Sequence, residues 1–171
     1  MKQIFIVTSL LLSILLSGCS SMKSLTKEDK NAKEVALREA IEKREFIIDV
    51  DRMNPTGGRS RALTTSYSLE VNGEDVKSHL PFAGRAYSIP YGGGEGLIFN
   101  SKISEYVSTI DAKGKTVIEF RTRTKEDQFV YRIEIYPNGS ASVHVRPNNR
   151  QAVSFNGKTS KNGKWKMENG K

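Results

Sequence analysis

From Lys115 to Phe155 apolar and polar residues alternate with a period of two through four segments, broken only where turn-forming residues gather. That is the pattern of antiparallel strands with one buried face. The turns between them predict which residues face each other. Tyr136-Pro-Asn-Gly-Ser140 reads as a hairpin loop, with Pro137 in the second position of a type I turn and Gly139 supplying the positive φ of a closing bulge. Pairing Tyr136 with Ser140 sets Ile135 beside Ala141, Ile133 beside Val143 and Tyr131 beside Val145. A two-residue loop at Lys125 and Glu126 sets Thr122 opposite Phe129, Phe120 opposite Tyr131 and Ile118 opposite Ile133. Through Pro147 to Arg150 the chain returns so that Val145 meets Val153 and Val143 meets Phe155. A one-residue slip at any turn sets an apolar row against a polar one, so the mutual agreement supports this register. The opposite face carries Glu119, Arg121, Arg123, Arg132, Glu134, His144 and Arg146, with Glu119 across from Arg132.

Upstream, Thr26 is placed to cap a helix running to about Lys43, with Glu28 and Asp29 in its first turn. Its narrow stripe, Ala32, Val35, Ala36, Leu37, Ala40 and Ile41, fits a helix laid on one end of a β-domain or a stalk standing off from it. Phe46, Ile48 and Val50 predict a first strand, broken at Asn54-Pro-Thr-Gly-Gly58, with Arg59 to Arg61 in a loop. Tyr67, Leu69 and Val71 predict a second strand, Asp75 to Leu80 a third, Leu97 to Phe99 a short fourth and Ile103 to Ile110 a fifth. The whole is an all-β antiparallel meander of about eight to nine strands with one N-terminal helix. A barrel is favoured over a sandwich because closure removes exposed edges.

The first eighteen residues are a targeting segment. Lys2 precedes an apolar run from Ile4 to Leu16, too short for a comfortable membrane span, and Leu16-Ser-Gly-Cys19 matches a lipoprotein signal-peptide cleavage box. Cys19 then becomes the N-terminus and the lipid-attachment site, and each buried methylene of its acyl chains adds about 0.8 kcal/mol of membrane affinity. Residues 19–45 form the tether and helix, 46–157 the barrel and 158–171 a basic tail or edge strand holding Trp165. Ser20 after Cys19 differs from the Asp of inner-membrane retention, so the expected address is the outer membrane, facing either the periplasm or the surface. Cys19 is the only cysteine, which excludes disulfides and a catalytic thiol elsewhere. The net charge of +8 falls by one when Lys2 is removed. Basic residues alternate with Glu along the strands, which reads as a solvated face, and export makes nucleic acid the least expected partner.

Propensity leaves one stretch unexplained, Leu80-Pro-Phe-Ala-Gly-Arg-Ala-Tyr87 continuing to Pro90-Tyr-Gly-Gly-Gly-Glu-Gly96. Together with the cleavage box, the basic helix, Tyr67 to Val71, Asn138-Gly139 and Asn148-Asn-Arg-Gln151, it resembles an uncharacterised family of Bacteroides-type lipoproteins carrying a domain of unknown function, DUF4251-like. The resemblance spans nearly the whole mature chain. It implies a lipocalin-like β-barrel and neither an activity nor catalytic residues.

Read as chemistry, the glycines lack the Lys-Ser/Thr pair of a phosphate loop and open onto a strand instead of a helix N-terminus. They let the backbone cross a barrel end closely, or they form an adaptable binding loop of Phe82, Arg85, Tyr87, Tyr91, Gly92, Gly93, Gly94 and Glu95, with a basic rim at Arg59 and Arg61. His79 and His144 are the only histidines, and no ligand cluster for a metal forms around either. No Gly-x-Ser-x-Gly elbow appears, and nothing brings Glu95, Glu105 and Asp111 together as paired carboxylates. The expectation is a non-catalytic, lipid-anchored envelope protein without cofactor or metal. It binds a small molecule, glycan or lipid at one barrel end or, alternatively, acts as a scaffold or protein-interaction subunit with a packed barrel.

Overall fold

Alternation over these segments produces eight antiparallel strands in the computed structural model, which describes residues 27–87 and 96–160. Helix α1 (Lys27–Glu42) leads into β1 (Glu45–Pro55), β2 (Arg61–Asn72), β3 (Asp75–Leu80), β4 (Leu97–Ile110), β5 (Thr116–Arg123), β6 (Gln128–Ile135), β7 (Ser140–Pro147) and β8 (Val153–Ser160). Each strand pairs with its sequence neighbour and β1 pairs with β8, so the sheet is a closed barrel. The meander barrel with one N-terminal helix is therefore the fold.

Every pairing expected from Lys115 to Phe155 is present. Ile118, Phe120 and Thr122 face Ile133, Tyr131 and Phe129. Tyr131, Ile133 and Ile135 face Val145, Val143 and Ala141, and Val143 and Val145 face Phe155 and Val153. The β6–β7 turn closes through the Gly139 amide, which donates to the Tyr136 carbonyl at 2.8 Å with Gly139 at φ 83°. On the wet side Arg132 is ion-paired to Glu119 and to Glu134.

The chain departs from expectation in four places, three of them in its first half. β1 continues through Asn54 and Pro55, pairing with Ser154 and Val153, because a bulge between Val50 and Arg52 restores inward phase to Met53. Arg61 belongs to β2 and not to a loop, facing Met53. The short fourth and fifth strands are one strand, β4. Its polar Asn100-Ser-Lys link stays paired because Lys77 and Val76 face Asn100 and Ser101, and a bulge with Glu105 at φ 52° resets the phase so that Tyr106 turns inward. Finally, β8 extends to Ser160, past the expected domain edge at residue 157, because Thr159 and Lys158 pair with Ile48 and Asp49 of β1.

Where β8 meets the bulged β1, the two backbones approach so closely that only glycine fits. A Cβ on Gly157 would overlap the Asp49 carbonyl and lie 2.8 Å from Val50 Cα.

The interior is filled. Phe120 stacks on Tyr131 at 4.9 Å, Phe99 on Phe129 at 4.7 Å and Tyr106 on Phe120 at 6.4 Å. Ile48, Leu69, Val76, Leu80, Leu97, Ile118, Ile133, Val143 and Phe155 are buried around them. Each large side chain so buried contributes about 1.5–3 kcal/mol. The smaller inward residues Thr116 and Thr122 are themselves buried, and Thr122 Oγ1 donates to the Lys102 carbonyl at 2.8 Å. A buried hydrogen-bonded chain crosses the interior, whereas the buried Tyr106 hydroxyl has no partner among the described residues. The Tyr131 hydroxyl donates to Ser78 Oγ at 3.1 Å, and Ser78 Oγ donates to the Leu97 carbonyl at 2.7 Å. Burial pushes the Tyr131 phenol pKa well above its ordinary value, only partly offset by the Ser78 bond.

α1 lies on one end of the barrel through Ile41, buried, and Leu37, packed against the core, while Val35 on its expected apolar stripe is exposed. After its last residue, Glu42, Arg44 with a positive φ of 56° turns the chain into β1, and its guanidinium rests 4.3 Å over the Tyr106 ring.

Candidate functional site

The barrel end opposite α1 is organised by the connection from Asn148 to Ala152 between β7 and β8. Thr124 starts the neighbouring β5–β6 turn, its Oγ1 accepting from the amides of Glu126 and Asp127 at 3.2 Å each. This turn delivers Asp127 into a buried position, where Oδ1 accepts from the amides of Gln128 at 2.8 Å and of Asn148 and Asn149 at 3.1 Å. A buried carboxylate held by three backbone N–H groups fixes the β7–β8 connection against β6, and charge-assisted bonds of this kind are roughly twice as strong as neutral ones.

The unusual loop fastens to the same connection. The Tyr87 amide donates to the Asn149 carbonyl at 2.8 Å, the Gln151 amide to the Arg85 carbonyl at 2.9 Å, and the Arg85 amide to Gln151 Oε1 at 3.0 Å. Ala86 and Arg150 form an isolated antiparallel bridge. Thr56 Oγ1 donates to the Ala152 carbonyl at 2.6 Å, which ties the β1–β2 turn to the same strip of backbone. Below the loop the Arg150 side chain is only 6% exposed. It is ion-paired to Glu126 at 3.2 Å and lies 5.6 Å over the Phe82 ring. Its Nε has no hydrogen-bond partner among the described residues.

The expected site residues divide accordingly. Phe82 is half-buried beneath Arg150 and serves as an anchor of the loop, while Arg85 is exposed and Tyr87 is 70% exposed. Arg59 and Arg61, both exposed, belong to the β1–β2 turn and the start of β2 at this same end. Tyr91, Gly92, Gly93, Gly94 and Glu95 lie outside the described residues, as do Cys19 and Trp165. Sequence reasoning missed Asp127 and Arg150 as organisers. Arg150 sits in Asn148-Asn-Arg-Gln151, one of the segments carrying the family resemblance, so a signal for it existed. Asp127 follows a charged turn, and nothing in its neighbours distinguishes a buried carboxylate from an exposed one.

Other candidate chemistry is dispersed. His79 is exposed and packs against Tyr67, and His144 on the wet face lies 3.2 Å from Ser142 Oγ. Glu105 is paired with Arg121 at 3.2 Å, and Asp111 Oδ1 accepts from the amides of Lys113 and Lys115 at 2.9 Å, so these two carboxylates serve separate contacts. Among the described residues no three His, Cys, Asp or Glu side chains gather as metal ligands, and no helix is long and apolar enough to cross a membrane.

Residues 28–159 match the family model described as "Domain of unknown function (DUF4251)", well over half of the chain, and the protein belongs to that family. No curated protein matches it. Among solved structures it is similar to a DUF4251 family protein from Bacteroides eggerthii DSM 20697, with a TM-score of 0.58 at 15% identity, covering 75% of this chain and 87% of that one. At that identity the likeness speaks for the fold alone.

Proposed function

We propose that this DUF4251 protein is a non-catalytic, lipid-anchored protein of the outer membrane that binds a small molecule, glycan or lipid at the loop end of its barrel. Cys19 carries the anchor. One observation carries the reading: exposed Arg85 and Tyr87 are held by backbone bonds to a connection that Asp127 itself fixes. Recognition surfaces favour such amphipathic side chains on rigid supports, because little conformational freedom is lost on binding. The filled interior moves the contact surface to the outside of the barrel. That same filling favours a second reading, an envelope scaffold whose loop end contacts another protein.

The test uses residues 20–171, with native mass spectrometry for co-purified ligands and a thermal-shift screen of glycans and lipids. A ligand at a hundred times its Kd stabilises by about 2.7 kcal/mol, and Arg85→Ala with Tyr87→Ala should abolish the shift. No ligand, with cross-linking in cells capturing one protein neighbour at Tyr87, would establish the scaffold instead. Palmitate labelling that persists in Cys19→Ala would overturn the anchor.

A further inference from the structure

On the outer wall of β5, β6 and β7 the charge pairing that governs the rest of that face stops. Two rows nearer α1, Glu119, Arg132 and Glu134 neutralise one another, and Lys115 reaches Glu134 at 3.6 Å. In the row towards the loop end the facing residues are Arg121, Val130 and Arg146, with no acid between the two guanidiniums. Arg123 faces Gln128 one step further, and the Gln128 amide oxygen, oriented to accept, takes a hydrogen bond from Arg123 Nε at 2.9 Å. Glu105 pairs with Arg121, but Arg123 and Arg146 reach no carboxylate among the described residues. These side chains wall a groove of about 540 Å³ floored by Val130 and reaching Asn148 at the loop end.

We propose that this groove binds an acidic oligosaccharide, a sugar chain bearing carboxylates. Arg121 and Arg146 stand two strands apart, about 10 Å, and Arg123 stands about 7 Å along β5 from Arg121. A chain laid across the strands presents successive carboxylates to separate guanidiniums, whose planar forks bind carboxylates bidentately. Half-buried Val130 offers an apolar floor to a sugar-ring face. A planar bilayer cannot follow a concave floor. Stacked nucleobases would need exposed aromatic faces, and Phe129, the groove's aromatic lining, is 2% exposed. The site is separate from Arg85 and Tyr87 and stands whether or not the loop end binds a ligand.

The experiment is calorimetric titration of residues 20–171 with a galacturonate oligomer at low salt, beside a neutral glucose oligomer and vesicles of anionic phospholipid. Wild type should bind the galacturonate alone, more weakly as salt rises. The variant Arg123→Glu with Arg146→Glu should lose at least tenfold in affinity. A charge-matched control, Lys43→Glu with Lys158→Glu, both exposed, should bind within twofold of wild type. Glu105→Gln, which frees Arg121, should tighten binding severalfold. Equal losses in the groove variant and its control would reduce the effect to overall charge and overturn the proposal, as would binding to vesicles in preference to the sugar, or no binding. Arg85→Ala with Tyr87→Ala should leave galacturonate affinity unchanged, which separates this site from the loop end.

Discussion

The β5–β8 half of the barrel is joined by tight connections at residues 124–127, 136–139 and 148–152, and its strands are eight residues each with unbroken register. The β1–β4 half spans strands of 6 to 14 residues, with bulges in β1 and β4 and a long connection from Pro81 to Gly96. Short turns leave one register that keeps both faces consistent. Bulges shift the alternation by one and hide it from a simple period of two. One half therefore behaves as a specified platform, and the other closes over it through β1–β8 and through contacts inside the barrel.

The sharpest break of this comparison is Ile133→Asp, which places an unpaired charge at the centre of the platform's dry face. No folded species should remain by circular dichroism, and a cooperative native-like melt would refute the register. Next is the closing seam. Gly157→Ala forces a methyl group into the β1 backbone and should cost about 3 kcal/mol in denaturant titration. Hydrogen exchange should rise first at the β1–β8 amides while β6–β7 stays protected, and uniform loss would show that the halves fold as one unit.

Asp127→Ala removes the carboxylate acceptor of the Gln128 and Asn149 amides, while Asn148 keeps its bond to the Gln128 carbonyl, and should cost about 2 kcal/mol. Faster exchange should appear at Asn149 and Tyr87, with α1 unaffected.

Tyr131→Phe tests the link across the interior, since Tyr131 on β6 bonds to Ser78 on β3. It should cost about 1 kcal/mol at neutral pH. Because burial raises the folded phenol's pKa above the ordinary value near 10, the unfolded chain ionises first. Stability from the neutral phenol is complete below about pH 10 and declines above it. The Phe variant should show a shallower alkaline decline, and an unchanged slope would remove Tyr131 as its cause.

The smallest effect belongs to the platform's wet face. Arg132→Ser removes half-exposed ion pairs to Glu119 and Glu134 and should cost less than about 1 kcal/mol. A cost equal to that of Ile133→Asp would erase the distinction between inside and outside.

Alternation and turn residues determined the barrel's class and the facing pairs from Ile118 to Phe155, because side-chain direction in a strand has a fixed period and a short turn permits one register, and a narrow apolar stripe at helical spacing marked the helix. Glycine, arginine and aromatic residues at Phe82 to Gly96 likewise marked the loop as unusual. The tertiary structure decided what local pattern cannot carry. Gly157 is required only because a bulged β1 crosses it, and Asp127 is buried only because the β7–β8 connection brings two amides to it. Arg123 and Arg146 are without acids only because register sets Gln128 and Val130 across from them. Each depends on residues distant in sequence, and contacts of that kind exist only once the sheet has closed.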